Sequence, residues 1–125
     1  MNLLYIAIGG AFGSVVRYLM QSLIGHYTGT GFPYGTLIVN ITGSIIMGLF
    51  IGWLARATQG SQEQIRLFVA VGILGGYTTF SSFSLEAVNL MQEGRWAATG
   101  IYVLSSVVFS LAGVLAGLRL MRLFA

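Results

Sequence analysis

Four long apolar stretches alternate with three short polar ones along the chain: Leu3 to Ile24, Gly35 to Ala55, Ile65 to Met91 and Ala97 to Arg119. A hydrocarbon core of about 30 Å needs roughly 20 apolar residues per helical crossing. Each stretch therefore predicts one transmembrane helix, and residues 1–125 a single all-α, four-helix integral membrane domain. The first stretch is not expected to be a cleaved signal peptide, because it lacks a basic n-region and carries Arg17 in place of a small-residue cleavage site. The third is longer than one straight crossing requires, and the excess predicts a helix broken in its middle.

The polar positions inside the third stretch agree with that break. Gly75 to Ser84 reads Gly-Gly-Tyr-Thr-Thr-Phe-Ser-Ser-Phe-Ser, with five threonine and serine hydroxyls in an otherwise apolar run. Backbone released from its helical ladder in a membrane must find partners in protein or in a water-filled cavity, so such a segment points to a binding or permeation site. Gly75 and Gly76 are expected to supply the freedom for the break, and a β-branched side chain at Gly75 to crowd it. Phe80, Phe83 and Glu86 then follow at intervals of three. The phenylalanines read either as core packing or as ring edges, whose partial positive charge can face an anion. Glu86 reads either as a helix-end carboxylate or as part of an aqueous vestibule.

Other spans repeat the theme. Thr36, Asn40 and Ser44 recur at i+4 and are continued by Gly48 and Gly52. Helix packing accounts for the glycines, but an amide in lipid is costly unless both its ends are satisfied, so Asn40 is a candidate functional group. Tyr102, Ser106 and Ser110 form a second i+4 row, either bonded back to their own i−4 carbonyls or offering a track of donors to an ion. Gly9 and Gly13 allow a close helix crossing. Arg17 is either a snorkelling side chain or an anion-attracting group at a vestibule. The segment Gly25 to Tyr34 reads as an ordinary extramembrane turn, and Arg56 to Gln64 as a plain polar loop.

Composition narrows the class further. The chain is 56% hydrophobic and 7% charged, against about 25% charged in soluble domains. Without cysteine and with one histidine (His26), it has no thiolate or histidine-cluster metal site. Its net charge of +3 rests on scattered arginines, which excludes nucleic acid as a partner. Arg56, Arg66, Arg119 and Arg122 fall on the side of the termini, against one or two on the other, Arg95 with or without Arg17, an imbalance that favours cytoplasmic termini.

The string Gly75-Gly76-Tyr77-Thr78-Thr79-Phe80-Ser81-Ser82-Phe83-Ser84-Leu85-Glu86 closely resembles the signature of the Fluc (CrcB) fluoride channels. Gly35 to Gly43 and Gly9 to Tyr18 are similar to two further motifs of that family, in the same order. The resemblance implies an antiparallel, dual-topology dimer with two fluoride pores, in the inner membrane of a bacterium, exporting fluoride passively and conferring resistance to it. It implies Phe80 and Phe83 as pore phenylalanines, Asn40 as the pore amide and Ser81 as a nearby hydroxyl ligand. Tyr102, Ser106 and Ser110 take the place of the hydroxyl track, with Glu86 close to it, and Arg17 that of a vestibule arginine. The carbonyls of Gly75 and Thr78 would hold a structural sodium ion at the dimer interface. Tyr77 stands where many relatives carry an aliphatic residue and Ser82 where many carry threonine, and neither change removes a needed donor. Because the arginines are uneven, a heterodimer with a paralogous chain of opposite orientation stays beside the homodimer.

Rival readings fare worse on the same residues. A small multidrug antiporter needs a carboxylate within its first helix, and the first span has none. A non-conducting assembly subunit leaves Asn40 and the hydroxyl cluster without a role. No span pairs a nucleophile with a base, so an enzyme is not expected.

Overall fold

A computed structural model of the chain describes residues 1–56 and 62–124. Long runs without proline let each apolar stretch close its own backbone hydrogen bonds, as a bilayer demands. The first helix, α1 (Asn2–Thr28), continues four residues past the expected end. It stops at Gly29, which has φ 77° and donates its N–H to the Gly25 carbonyl at 2.9 Å. The left-handed conformation at that position favours glycine. After a short link containing Pro33, α2 (Tyr34–Leu54) returns across the layer. Of the expected loop Arg56 to Gln64, residues 57–61 lie outside the described residues, and Gln62 to Gln64 already belong to helix.

The third span, Gln62–Gln92, is the irregular one. It opens with α3 (Gln62–Ile65), widens into a π-helical segment (Arg66–Leu74), closes with one α turn, α4 (Gly75–Tyr77), and resumes as α5 (Phe80–Gln92). The break lies at Thr78 and Thr79, both extended, with φ/ψ of −81/159° and −151/121°. It is therefore displaced from the glycine pair expected to produce it. Gly75 is itself right-handed helical, with φ −62° and ψ −37°. Two adjacent β-branched residues, which favour extended backbone, take the role assigned to the glycines. A tight turn at Glu93 and Gly94 then leads into α6 (Trp96–Leu123).

Glycines set the packing because backbones must touch where lipid offers no hydrophobic drive between helices. A Cβ on Gly9 or Gly13 of α1 would collide with backbone of the third span, at Phe68 and Gly72 for one and Ile73 and Tyr77 for the other. The reverse also holds: a Cβ on Gly76 would stand 2.6 Å from the Gly10 carbonyl oxygen. Helices α2 and α6 run parallel and meet through Gly48, Gly52 and Gly117. The interior is small: among the described residues Tyr102, Val39 and Thr36 are the largest fully buried side chains, and Phe83, Ala87, Leu90 and Tyr102 form an apolar cluster. Large apolar side chains such as Leu3, Phe12, Leu104 and Leu111 face outward, the inversion expected of a chain surrounded by lipid.

Candidate functional site

The break in the third span is held by side chains from two other helices. Asn40, nearly two turns inside α2, donates from Nδ2 to the Thr79 carbonyl at 2.9 Å and accepts the Thr79 N–H on Oδ1 at 2.8 Å. That pair replaces the ladder bonds the extended residues have lost, and it satisfies both ends of the amide. One Nδ2 hydrogen remains, since a primary amide carries two donors. Arg17 reaches from α1 and donates Nε to the Gly76 carbonyl at 3.0 Å. Its charge thus sits against the C-terminal end of α4, where carbonyls lack intrahelical donors. Arg17 lines neither of the two cavities described below.

Hydroxyls complete the framework. Thr79 Oγ1 accepts the Ser82 N–H at 3.2 Å and caps the N-terminus of α5. Thr78 Oγ1 donates to the Leu74 carbonyl at 3.0 Å. Tyr77 is buried, and its hydroxyl lies 2.9 Å from Thr42 Oγ1. Since Thr42 already donates to the Ile38 carbonyl at 2.8 Å, Tyr77 is the donor of that pair. The residue that departs from the expected aliphatic pattern therefore braces α4 to α2.

Residues singled out from the sequence converge on one cavity of about 390 Å³, among them Asn40, Phe80, Phe83, Ser106 and Ser110. Thr78, Thr79 and Ser44 also line it. The N-terminus of α5 begins at its wall, so the partial positive charge of that helix end is directed to this region. Ser106 Oγ is buried and has no hydrogen-bond partner among the described residues. Its neighbour Ser105 donates to the Ile101 carbonyl at 2.5 Å, the local bond that Ser106 does not make.

A second cavity, of about 430 Å³, opens between the ends of α1 and α5 and the start of α2. It is lined by Thr36, Ser82, Glu86 and Asn89 among others, and its arginine is Arg95. Tyr102, fully buried, packs between Phe83 of the first cavity and Phe32 of the second, and donates its hydroxyl to Glu86 Oε1 at 3.0 Å. The rings form a row: Phe80 to Phe83 at 5.5 Å, Phe83 to Tyr102 at 5.1 Å and Tyr102 to Phe32 at 5.5 Å. Glu86 thus lines this second cavity from within α5. Ser81 is exposed, lies 3.4 Å from Thr79 Oγ1 and lines neither cavity; the adjacent Ser82 lines the second.

Several contributors carried no signal that marked them in advance. Thr79 acts through its backbone, and its partner lies 39 residues away. Phe32 sits in the segment taken for an ordinary turn, and only its place beside Pro33 among glycines set it apart.

Comparison with known proteins identifies the chain's family. The family described as CrcB-like protein, Camphor Resistance (CrcB), matches residues 4–118. The fluoride-specific ion channel FluC of Agrobacterium fabrum (strain C58) is 49% identical over 121 residues, covering 97% of this chain and 96% of that one. FluC 1 of Nitrobacter hamburgensis is 47% identical, over 96% and 94% of the two chains. FluC of Rhodopseudomonas palustris (strain BisB5) is 44% identical over 98% of each.

Proposed function

The chain belongs to the CrcB-like family, and from that membership and its site we propose a fluoride-selective channel that releases cytoplasmic fluoride and confers resistance to the ion. One observation carries the mechanism: Ser106 presents a buried, unpartnered hydroxyl at the cavity that also holds the Asn40 amide and the Phe80 and Phe83 rings. An unmade hydrogen bond on a buried hydroxyl costs about 1–3 kcal/mol, so a strong acceptor passing there recovers what the fold leaves unmet. Fluoride is the small, strongly hydrated anion for which closely placed neutral donors replace water best. None of these groups carries a full positive charge, so the ion is bound weakly enough to leave. Beyond the aromatic cavity the path continues past Tyr102 to Glu86 and the second cavity.

The assembly is an antiparallel pair of chains in the bacterial inner membrane. Its support is the open side of the aromatic cavity, where Phe80 remains 77% exposed in the single chain. A second reading of the partner, a paralogous chain, is favoured by the arginines: Arg56, Arg66, Arg119 and Arg122 stand at one end and Arg95 at the other, with Arg17 placed at the break between.

Gly75 and Thr78 fit half of a sodium site. The Thr79 N–H that would close the ladder on Gly75 is given to Asn40, and Thr78 is extended, so both carbonyls are released from helical bonding. Carbonyl oxygens suit a hard cation, but two are too few, and the same pair from a second chain would complete the set. Sodium there would hold two breaks together and takes no part in moving the anion.

Ser106→Ala provides the test, read by a fluoride electrode on proteoliposomes. Flux should fall about tenfold, the order expected for one lost hydrogen bond to a charged group, with assembly intact. Undiminished flux would remove Ser106 from the path.

A further inference from the structure

Four rings, two from α5, one from α6 and one from the link before α2, form one unbroken row. Phe80 and Phe83 line the aromatic cavity, Tyr102 is buried, and Phe32 lines the second cavity. The Phe32 and Tyr102 planes stand at 85° to each other, the edge-to-face arrangement in which one ring's positive edge meets another's negative face. Of the four, Phe32 alone is seated where the row reaches the open, polar space.

The link that carries Phe32 is fixed at both ends. Gly29 closes α1, Tyr34 N–H donates to the Phe32 carbonyl at 2.8 Å, and the Phe32 ring packs on Tyr34 at 4.8 Å. Across the mouth, an Arg95 guanidinium nitrogen donates to the Gly31 carbonyl. The ring is half-buried against Tyr102 and the rest of the apolar cluster, so its position is set by packing as well as by the link. Charge at this mouth does not favour an anion by itself: Glu86 and Glu93 line it against the single Arg95. An anion crossing it needs a partial positive surface that leads from water to the Tyr102 ring.

We propose that Phe32 is the outermost ring of the ion path, the group that passes fluoride between the polar cavity and Tyr102. This assignment rests on the channel reading above and extends it to a residue outside the break. It makes Phe32 a determinant of throughput and of preference for fluoride over chloride, because a ring edge in a confined mouth accepts the smaller anion at closer range.

The test compares Phe32→Leu and Phe32→Trp in phosphatidylcholine/phosphatidylglycerol vesicles, with fluoride and chloride release measured side by side. Assembly is checked by gel filtration, and Phe32→Met takes the place of the leucine variant if that one does not assemble. Loss of the ring should slow fluoride release about tenfold and narrow its margin over chloride, whereas tryptophan, which keeps an aromatic edge, should stay within about threefold of the parent. Parent-like release from the ringless variant overturns the assignment. Equal slowing by leucine and tryptophan also overturns it, because packing alone would then explain the loss. A parent chain that releases no fluoride overturns the channel reading itself and this assignment with it.

Discussion

Asn40 does two jobs with one amide. Its oxygen and one N–H hold Thr79 at the break, and its remaining N–H belongs to a group lining the aromatic cavity. Asn40→Asp should therefore abolish fluoride flux, since it removes the donor to the Thr79 carbonyl and puts negative charge on an anion path. Asn40→Ala should lower stability by about 1–3 kcal/mol for each Thr79 group left without a partner, measured by thermal unfolding in detergent. Retained flux in Asn40→Asp would detach the amide from the pathway. The two phenylalanines separate in the same way. Phe80 is exposed and Phe83 lies in the buried cluster. Phe80→Ile should reduce flux with little change in melting temperature, while Phe83→Ile should reduce both, the second by about 1–3 kcal/mol. Equal stability losses would contradict that division. Asn40 was legible in the sequence as an amide that lipid would not tolerate unpaired, and the row Tyr102, Ser106, Ser110 as a polar face. What was not legible was the partner of each, because a bond from residue 40 to the backbone of residue 79 leaves no periodic trace.

Among the elements, the third span separates what spacing can reveal from what it cannot. Its excess length and polar centre predict a break, and the break is there, but at Thr78–Thr79 instead of at the glycines. Gly76 serves close approach to α1, and Gly75 has room: a Cβ on it meets nothing nearer than the Ala70 carbonyl oxygen at 3.6 Å. Within one chain, the expectation that a side chain at Gly75 crowds the break is thus replaced by a prediction for its neighbour. Gly76→Ala should impair assembly far more than Gly75→Ala, and gel filtration of the two variants checks the order. The reverse order would mean that a second chain, and not α1, presses on the break. Removing the cap on α5 by Thr79→Val should cost about 1 kcal/mol, again read from thermal unfolding. The π-helical stretch Arg66–Leu74 had no counterpart in the reading from sequence, because an apolar run of that length is compatible with either helical pitch. The close crossings at Gly9 and Gly13 and at Gly48 and Gly52 were visible as spaced small residues, since the spacing itself sets the contact.

For the whole molecule, four apolar spans around a thin polar seam leave many large side chains facing outward, and two cavities linked by the Phe83, Tyr102 and Phe32 rings give the seam a direction. The arginine-rich end makes orientation in the membrane a property to be measured. The chain contains no cysteine, so Phe124→Cys offers one reporter near the C-terminus for a membrane-impermeant maleimide. An antiparallel homodimer predicts labelling of about half the chains from each side, and labelling from one side alone would require a partner of opposite orientation. The central claim, a fluoride-selective path through a single kind of chain, is tested most directly by release of fluoride and of chloride from liposomes reconstituted with this protein alone. The account predicts rapid fluoride release with chloride retained. Release of both anions, or of neither from assembled protein, would contradict it.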